Sequence, residues 1–262
     1  MENYLTLKAE LKGEVITLWL ARPDVHNALN DVLIREITSF FNQIEELKQI
    51  RIVVIRGLGK SFCSGADLAW MKRAFALSAE ENLMESFELS NMFGSIFKSS
   101  KIVIAAVHGN VFGGGNGIVA ACDLAYCISN SKFSLSEARI GMAAASITPY
   151  LLQKLNTSDL KELIFTARTF TAEEAKEYQL VNKCFINLEE MDSHLQGLID
   201  GILSNGRNAL LESKKLINQL TEVAAIEKKK QIPDLLAQIR VSDEAQEGFS
   251  AFLEKRKPKW QL

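Results

Sequence analysis

Glu137 stands among small and apolar residues in the run Phe133-Ser134-Leu135-Ser136-Glu137-Ala138-Arg139-Ile140-Gly141-Met142. A carboxyl group withdrawn from water has its pKa raised, and a group titrating near neutrality can serve as acid or base. The bland alternative is a Glu137–Arg139 pair on the surface. Upstream, His108-Gly109-Asn110-Val111-Phe112-Gly113-Gly114-Gly115-Asn116-Gly117 leads into Ile118-Val119-Ala120-Ala121-Cys122. That last stretch is apolar all round, so a helix there is buried. Glycines opening such a helix present unpaired N–H donors at the positive end of its dipole. Those donors suit an anion or a developing oxyanion. The segment lacks the G-K-[ST] ending of a phosphate loop, and its contiguous glycines do not give the G-x-G-x-x-G spacing of a dinucleotide site. Alone, it reads equally well as a packing turn. A third segment, Ser61-Phe62-Cys63-Ser64-Gly65-Ala66-Asp67-Leu68, also lets backbone N–H groups approach a ligand closely. Its alternative is a tight strand-to-helix connection capped by Asp67.

These segments need strands and helices to hold them. Ile52–Ile55, Ile102–Val107 and Leu124–Ile128 are continuous apolar runs, as expected for strands buried on both faces. Glu14–Leu20 is a further strand, ending at the Arg22-Pro23 turn. Leu33, Ile37, Phe40, Ile44 and Leu47 follow helical spacing, with Asn30 or Asp31 as the cap. Thr171-Ala172-Glu173-Glu174 has the form of a capping box. Beyond about residue 200 strand signals stop. The stretch from Ser204 onward is charged and helical in pattern, with Pro233 marking a helix start or break. The expected fold class is therefore α/β, with a core over residues 1–200 and a helical region over 201–262.

Bulk properties remove several function classes. A chain of 262 residues suffices for one large domain, with or without an appendage. A formal net charge of -2 gives no basic field for nucleic acid, and the Lys228-Lys229-Lys230 run reads as a solvated helix face. No stretch is apolar enough to span a bilayer, and Met1–Leu5 does not resemble a secretory leader. Cys63, Cys122, Cys127 and Cys184 form no C-x-x-C pair, so reduced thiols in a cytoplasmic protein are expected. With three scattered histidines, no metal site is expected.

The ordered set of motifs resembles the enoyl-CoA hydratase/isomerase (crotonase) family over the whole chain. It runs from Arg22-Pro23 and Asn27-Ala28-Leu29 through FCSGADL, AAVHGNVFGGG, FSLSEARIGM and FTARTFTAEEAKEYQLV to EGFSAFLEKRKP. The resemblance implies a crotonase-type spiral core of ββα units, a C-terminal helical region that mediates trimerisation, and a homotrimer or dimer of trimers. It implies an acyl-CoA thioester substrate, with no cofactor beyond the coenzyme A carried by that substrate. By the same resemblance, the backbone N–H groups of Ala66 and Gly114 form an oxyanion hole and Glu137 is the catalytic carboxylate. Ser64, Ala66, Asp67 and Leu68 line the CoA and acyl entry, Arg22 lies near the adenosine phosphate end, and Phe252 and Lys255 contact CoA.

One position departs from the family pattern. Where hydratases place a first catalytic glutamate, this chain has Gly117, beside Asn116. A single Glu137 implies either one-carboxylate hydration or an isomerase that shuttles one proton; a non-catalytic acyl-CoA-binding member is the remaining class. GADLAWMKR, SEARIGMAAASITPYL and IRVSDEAQEGFSAFLEKRKP are most similar to bacterial methylglutaconyl-CoA hydratases of leucine breakdown. On that resemblance, Gly117 is expected to free space for water or a branched or carboxylated acyl group. His108 is expected to be a satisfied strand-end residue, and Glu85 and Glu88 to lie on an exposed helix face.

Overall fold

The computed structural model describes residues 4–74, 76–222 and 232–261. The Lys228–Lys230 run lies outside them. β1 (Leu7–Lys12) and β2 (Val15–Leu20) form an antiparallel hairpin. From β2 the sheet continues in parallel through β3 (Ile52–Gly57), β4 (Ile102–Val107), β6 (Leu124–Ile128) and β9 (Lys183–Phe185). A second sheet joins β5 (Asn110–Phe112), β7 (Lys132–Ser134) and β8 (Thr169–Thr171).

The continuous apolar strands are covered on both sides. Val53, Ile55, Val103 and Ala105 face the main core, while Ile52, Val54, Ile104 and Ala106 face a second cluster with Met191 and Leu195. Each such residue removed from water contributes roughly 1.5–3 kcal/mol when fully buried and large.

α1 (Asp31–Glu45) begins where Asn30 accepts a hydrogen bond from the Leu33 N–H, and it buries the face expected from its spacing. α2 (Leu68–Ala74) and α3 (Ala79–Lys98) follow β3. α4 (Gly114–Ala121) is buried from Gly115 onward, as its all-apolar sequence requires. Then come α5 (Thr148–Leu151), α6 (Thr157–Thr166), α7 (Ala172–Glu177) and α8 (Leu188–Leu203). α7 opens with the expected Thr171–Glu174 capping box.

Successive ββα turns of the spiral stack their connecting segments on one another. Leu29 N–H donates to Gly65 O at 2.7 Å, Phe112 N–H to Cys63 O at 3.0 Å and Gly113 N–H to Ser134 O at 2.9 Å. All three chemistry-bearing segments therefore lie in one stack.

α9 (Arg207–Glu222) is tied to the core by a Lys214–Asp123 ion pair at 2.7 Å. α10 (Ile232–Arg240), with Pro233 in its first turn, lies along α3. α11 (Asp243–Leu253) packs on α2 and on the 3-10 turn Glu137–Ile140. That contact is backbone against backbone. A Cβ at Gly248 would lie 2.4 Å from Ile140 O, and one at Gly141 would lie 2.7 Å from Glu244 O. The helical region thus returns to cover the Glu137 segment of its own chain.

Candidate active site

Ala66 pairs with Leu29 as an isolated parallel bridge, in which Leu29 bonds to Gly65 O and to the Asp67 N–H. That pattern turns the Ala66 N–H away from Leu29. Gly114 is the first residue of α4, where an N–H has no partner within the helix. Gly65 (φ +93) and Gly113 (φ +48) adopt left-handed backbone that favours glycine, and a Cβ on Gly65 would sit 3.1 Å from Phe112 O. The two turns therefore touch, and each offers an amide donor beside the other. Asn116 fixes this arrangement: its side-chain amide donates to Val111 O at 3.0 Å and Ser134 O at 2.9 Å.

Glu137 opens its 3-10 turn next to these donors. A Cβ added to Gly113 would lie 3.4 Å from the Glu137 Oε1. Part of the residue remains accessible, yet Oε2 is buried without a hydrogen-bond partner among the described residues. Burial pushes the carboxyl pKa up from 4.5 to about 7, with only the residue's own N–H opposing. No ion pair joins it to Arg139 among the described residues, so the surface-pair alternative is set aside.

An open groove of about 1140 Å³ is lined by His26, Ser64, Ala66, Asp67, Leu68, Gly114, Glu137, Phe252 and Arg256 among others. It shares Ala66, Met71, Gly114, Glu137 and Ile140 with a smaller inner chamber of about 110 Å³. The chamber is largely apolar, and Leu236, Arg240 and Phe249 from the C-terminal helices line part of it. Two donors and one carboxylate thus sit at a junction between a long groove and a short pocket. That arrangement can polarise a carbonyl and move a proton on the adjoining carbons.

Other expected site residues are placed differently. Arg22 lines neither cavity; its guanidinium bonds to Asp67 at 2.8 Å and to Ala28 O, and so braces the segments on either side of the Leu29–Ala66 bridge. Asp67 caps α2 through the Ala69 N–H at 2.8 Å while lining the groove. Burial pulls its pKa upward, but hydrogen bonds from Arg22 and the Trp70 and Ala69 amides outweigh this and hold it below the ordinary value. Lys255 is exposed and lines neither cavity, whereas its neighbour Arg256 lines the groove.

Gly117 also lines neither cavity. A Cβ there would lie 2.3 Å from Ile147 Cγ2 and 2.6 Å from Phe93 Cε1. The volume of the missing glutamate is filled by those two side chains, so the expected free space is corrected. His108 bonds through Nε2 to Gly59 O at 2.9 Å, in keeping with a structural role. Glu85 is not on an exposed face; it is half-buried, 3.7 Å from both Arg73 and Arg240.

His26, Arg240 and Arg256 were not singled out by the sequence. His26 follows the Arg22-Pro23 turn in a left-handed conformation (φ 54), a geometry unmarked by glycine. Arg256 lies within the EGFSAFLEKRKP motif, one residue from the position expected to matter.

Stacked ββα turns with paired amide donors and a carboxylate at their edge define the crotonase fold and an acyl-thioester type of site. The sequence profile of the Enoyl-CoA hydratase/isomerase family matches residues 10–262, and the chain belongs to that family. Among solved structures, an enoyl-CoA hydratase from Shewanella pealeana is 33% identical with a TM-score of 0.80, covering 97% of this chain and 96% of that one. An enoyl-CoA hydratase from Mycobacterium avium is 31% identical with a TM-score of 0.87, covering 98% and 99%. A peroxisomal Delta(3,5)-Delta(2,4)-dienoyl-CoA isomerase of Arabidopsis thaliana is 29% identical, covering 99% of this chain and 98% of that protein.

Proposed function

We propose that this protein adds water to the double bond of a short 2-enoyl-CoA thioester, using Glu137 as its single acid/base. The observation that carries this reading is the junction. Among the described residues, Glu137 is the ionisable side chain that lines both the groove and the inner chamber, and its pKa is raised to about 7. CoA would occupy the groove past Ser64, Leu68 and Phe252. The thioester oxygen would accept from the Ala66 and Gly114 N–H groups, and the acyl group would enter the chamber.

Glu137 as carboxylate takes a proton from water while the hydroxide adds to C3. The electrons of the double bond move to the thioester oxygen, which the two amides stabilise by several kcal/mol. Glu137 then returns the proton to C2. The net change is OH at C3 and H at C2, with no cofactor proposed beyond the CoA of the substrate.

The same single carboxylate favours a second reading, an enoyl-CoA isomerase, because one base can carry a proton between C2 and C4. The small chamber, with Arg240 in its lining, favours a short acyl group under either reading. The SEARIGMAAASITPYL stretch makes 3-methylglutaconyl-CoA the first substrate to test. Turnover across a panel of enoyl-CoA esters separates the readings. Loss of enoyl absorbance supports hydration; faster migration of a 3-enoyl double bond than water addition overturns it. Assembly as a homotrimer or dimer of trimers belongs to the same proposal, supported by Leu216, Ile217 and Leu220, which lie 55%, 61% and 71% exposed on α9.

A further inference from the structure

Arg240 lines the inner chamber but not the groove, and the hydration chemistry gives it no task. It lies on α10 and is only 8% exposed. Its Nη1 has no hydrogen-bond partner among the described residues. The nearest carboxylate oxygen, Glu85 Oε2, stands 3.7 Å away, beyond hydrogen-bond length, and is itself buried without a partner. Glu85 lies outside the lining of the chamber. The guanidinium sits 5.2 Å from the centroid of the Trp70 ring, and the Trp70 Nε1, on another chamber-lining residue, is a second buried donor without a partner. Burial lowers the Arg240 pKa, with the Glu85 charge acting against it.

A purely apolar acyl pocket does not need two donors without hydrogen bonds, and the Glu85 charge at 3.7 Å balances Arg240 without taking its Nη1 hydrogen bond, which is costly to leave unmade in a dry site. An anionic group beside them would repay that cost, and a planar guanidinium takes a carboxylate in two parallel hydrogen bonds.

We infer that Arg240 is a specificity-determining residue that binds a carboxylate at the far end of the acyl group, so that the chamber takes a short dicarboxylic acyl-CoA. The inference deepens the proposed function and rests on its placement of the acyl group in the chamber. It does not rest on hydration. The test therefore uses saturated esters of equal chain length that cannot be hydrated, glutaryl-CoA and pentanoyl-CoA, with dissociation constants measured by calorimetry. Wild-type protein is expected to bind glutaryl-CoA at least about 10-fold more tightly than pentanoyl-CoA, as a charge-assisted pair in a dry site allows. Arg240→Met is expected to reverse that order, and Arg240→Lys to restore part of it. Tighter binding of pentanoyl-CoA by wild type overturns the inference without any variant having to fold. So does an equal loss of affinity for both esters in a folded Arg240→Met protein. Absence of enoyl turnover would count against the hydratase reading and leave these two constants intact.

Discussion

Replacing Glu137 by Gln separates catalysis from stability, because the same burial governs both. The Glu137 carboxyl is moved from 4.5 to about 7 by desolvation. A folded-state pKa above the unfolded value means that the fold holds the proton more tightly. The associated stability is fully present below pH about 4.5 and is lost as pH rises to about 7. At about 1.36 kcal/mol per unit, ionisation in place costs roughly 3 kcal/mol above that window. Glu137→Gln cannot ionise, so its stability relative to wild type should rise by up to about 3 kcal/mol between pH 4.5 and 8, an upper bound. Activity should move the opposite way. A base must be deprotonated, so wild-type kcat/KM should fall about tenfold per pH unit below about 7, and Glu137→Gln should lower kcat by at least about 10² with CoA-ester binding nearly kept. Denaturant unfolding at pH 5 and pH 8, paired with pH-rate profiles, measures both sides. A variant with near-wild-type turnover, or one whose stability relative to wild type does not change with pH, would refute the reasoning.

The remaining perturbations probe the surroundings of that carboxylate. Gly114→Val should abolish turnover in a folded protein, since a Cβ there already comes within 2.6 Å of Leu29 Cδ1 and would crowd the amide donor; circular dichroism and kinetics check it. Gly117→Glu should destabilise the protein by about 1–3 kcal/mol and restore no second acid, because Ile147 and Phe93 fill the site; a thermal melt with crotonyl-CoA kinetics decides. Phe252→Ala should raise KM for CoA esters several-fold and spare a small thioester lacking the nucleotide, because Phe252 lines the groove and not the chamber.

The strands that build the core could be read from the sequence because Ile52–Ile55, Ile102–Val107 and Leu124–Ile128 are buried on both faces and so are apolar throughout. β5, β7 and β8 have three residues each, too few to show a period, and they form where turns of the spiral stack. The glycine turns and Glu137 were legible because their types are unusual in such apolar surroundings. The Arg22–Asp67 ion pair was not legible, since a guanidinium just before a proline looks the same in sequence whatever it bonds to. Glu85 and Arg240 lie on amphipathic helices, where a charged residue reads as solvated. Their burial follows from α10 lying along α3, a contact between segments far apart in the chain.

If one carboxylate and two amides add water to an enoyl thioester, the oxygen of that water ends at C3. Incubating the protein with 3-methylglutaconyl-CoA in heavy-oxygen water, then weighing the product and locating the label, tests it most directly. The expected product is heavier by one water, with the heavy oxygen at C3, and Glu137→Gln should yield none. A product of unchanged mass with a displaced double bond and no label would contradict it.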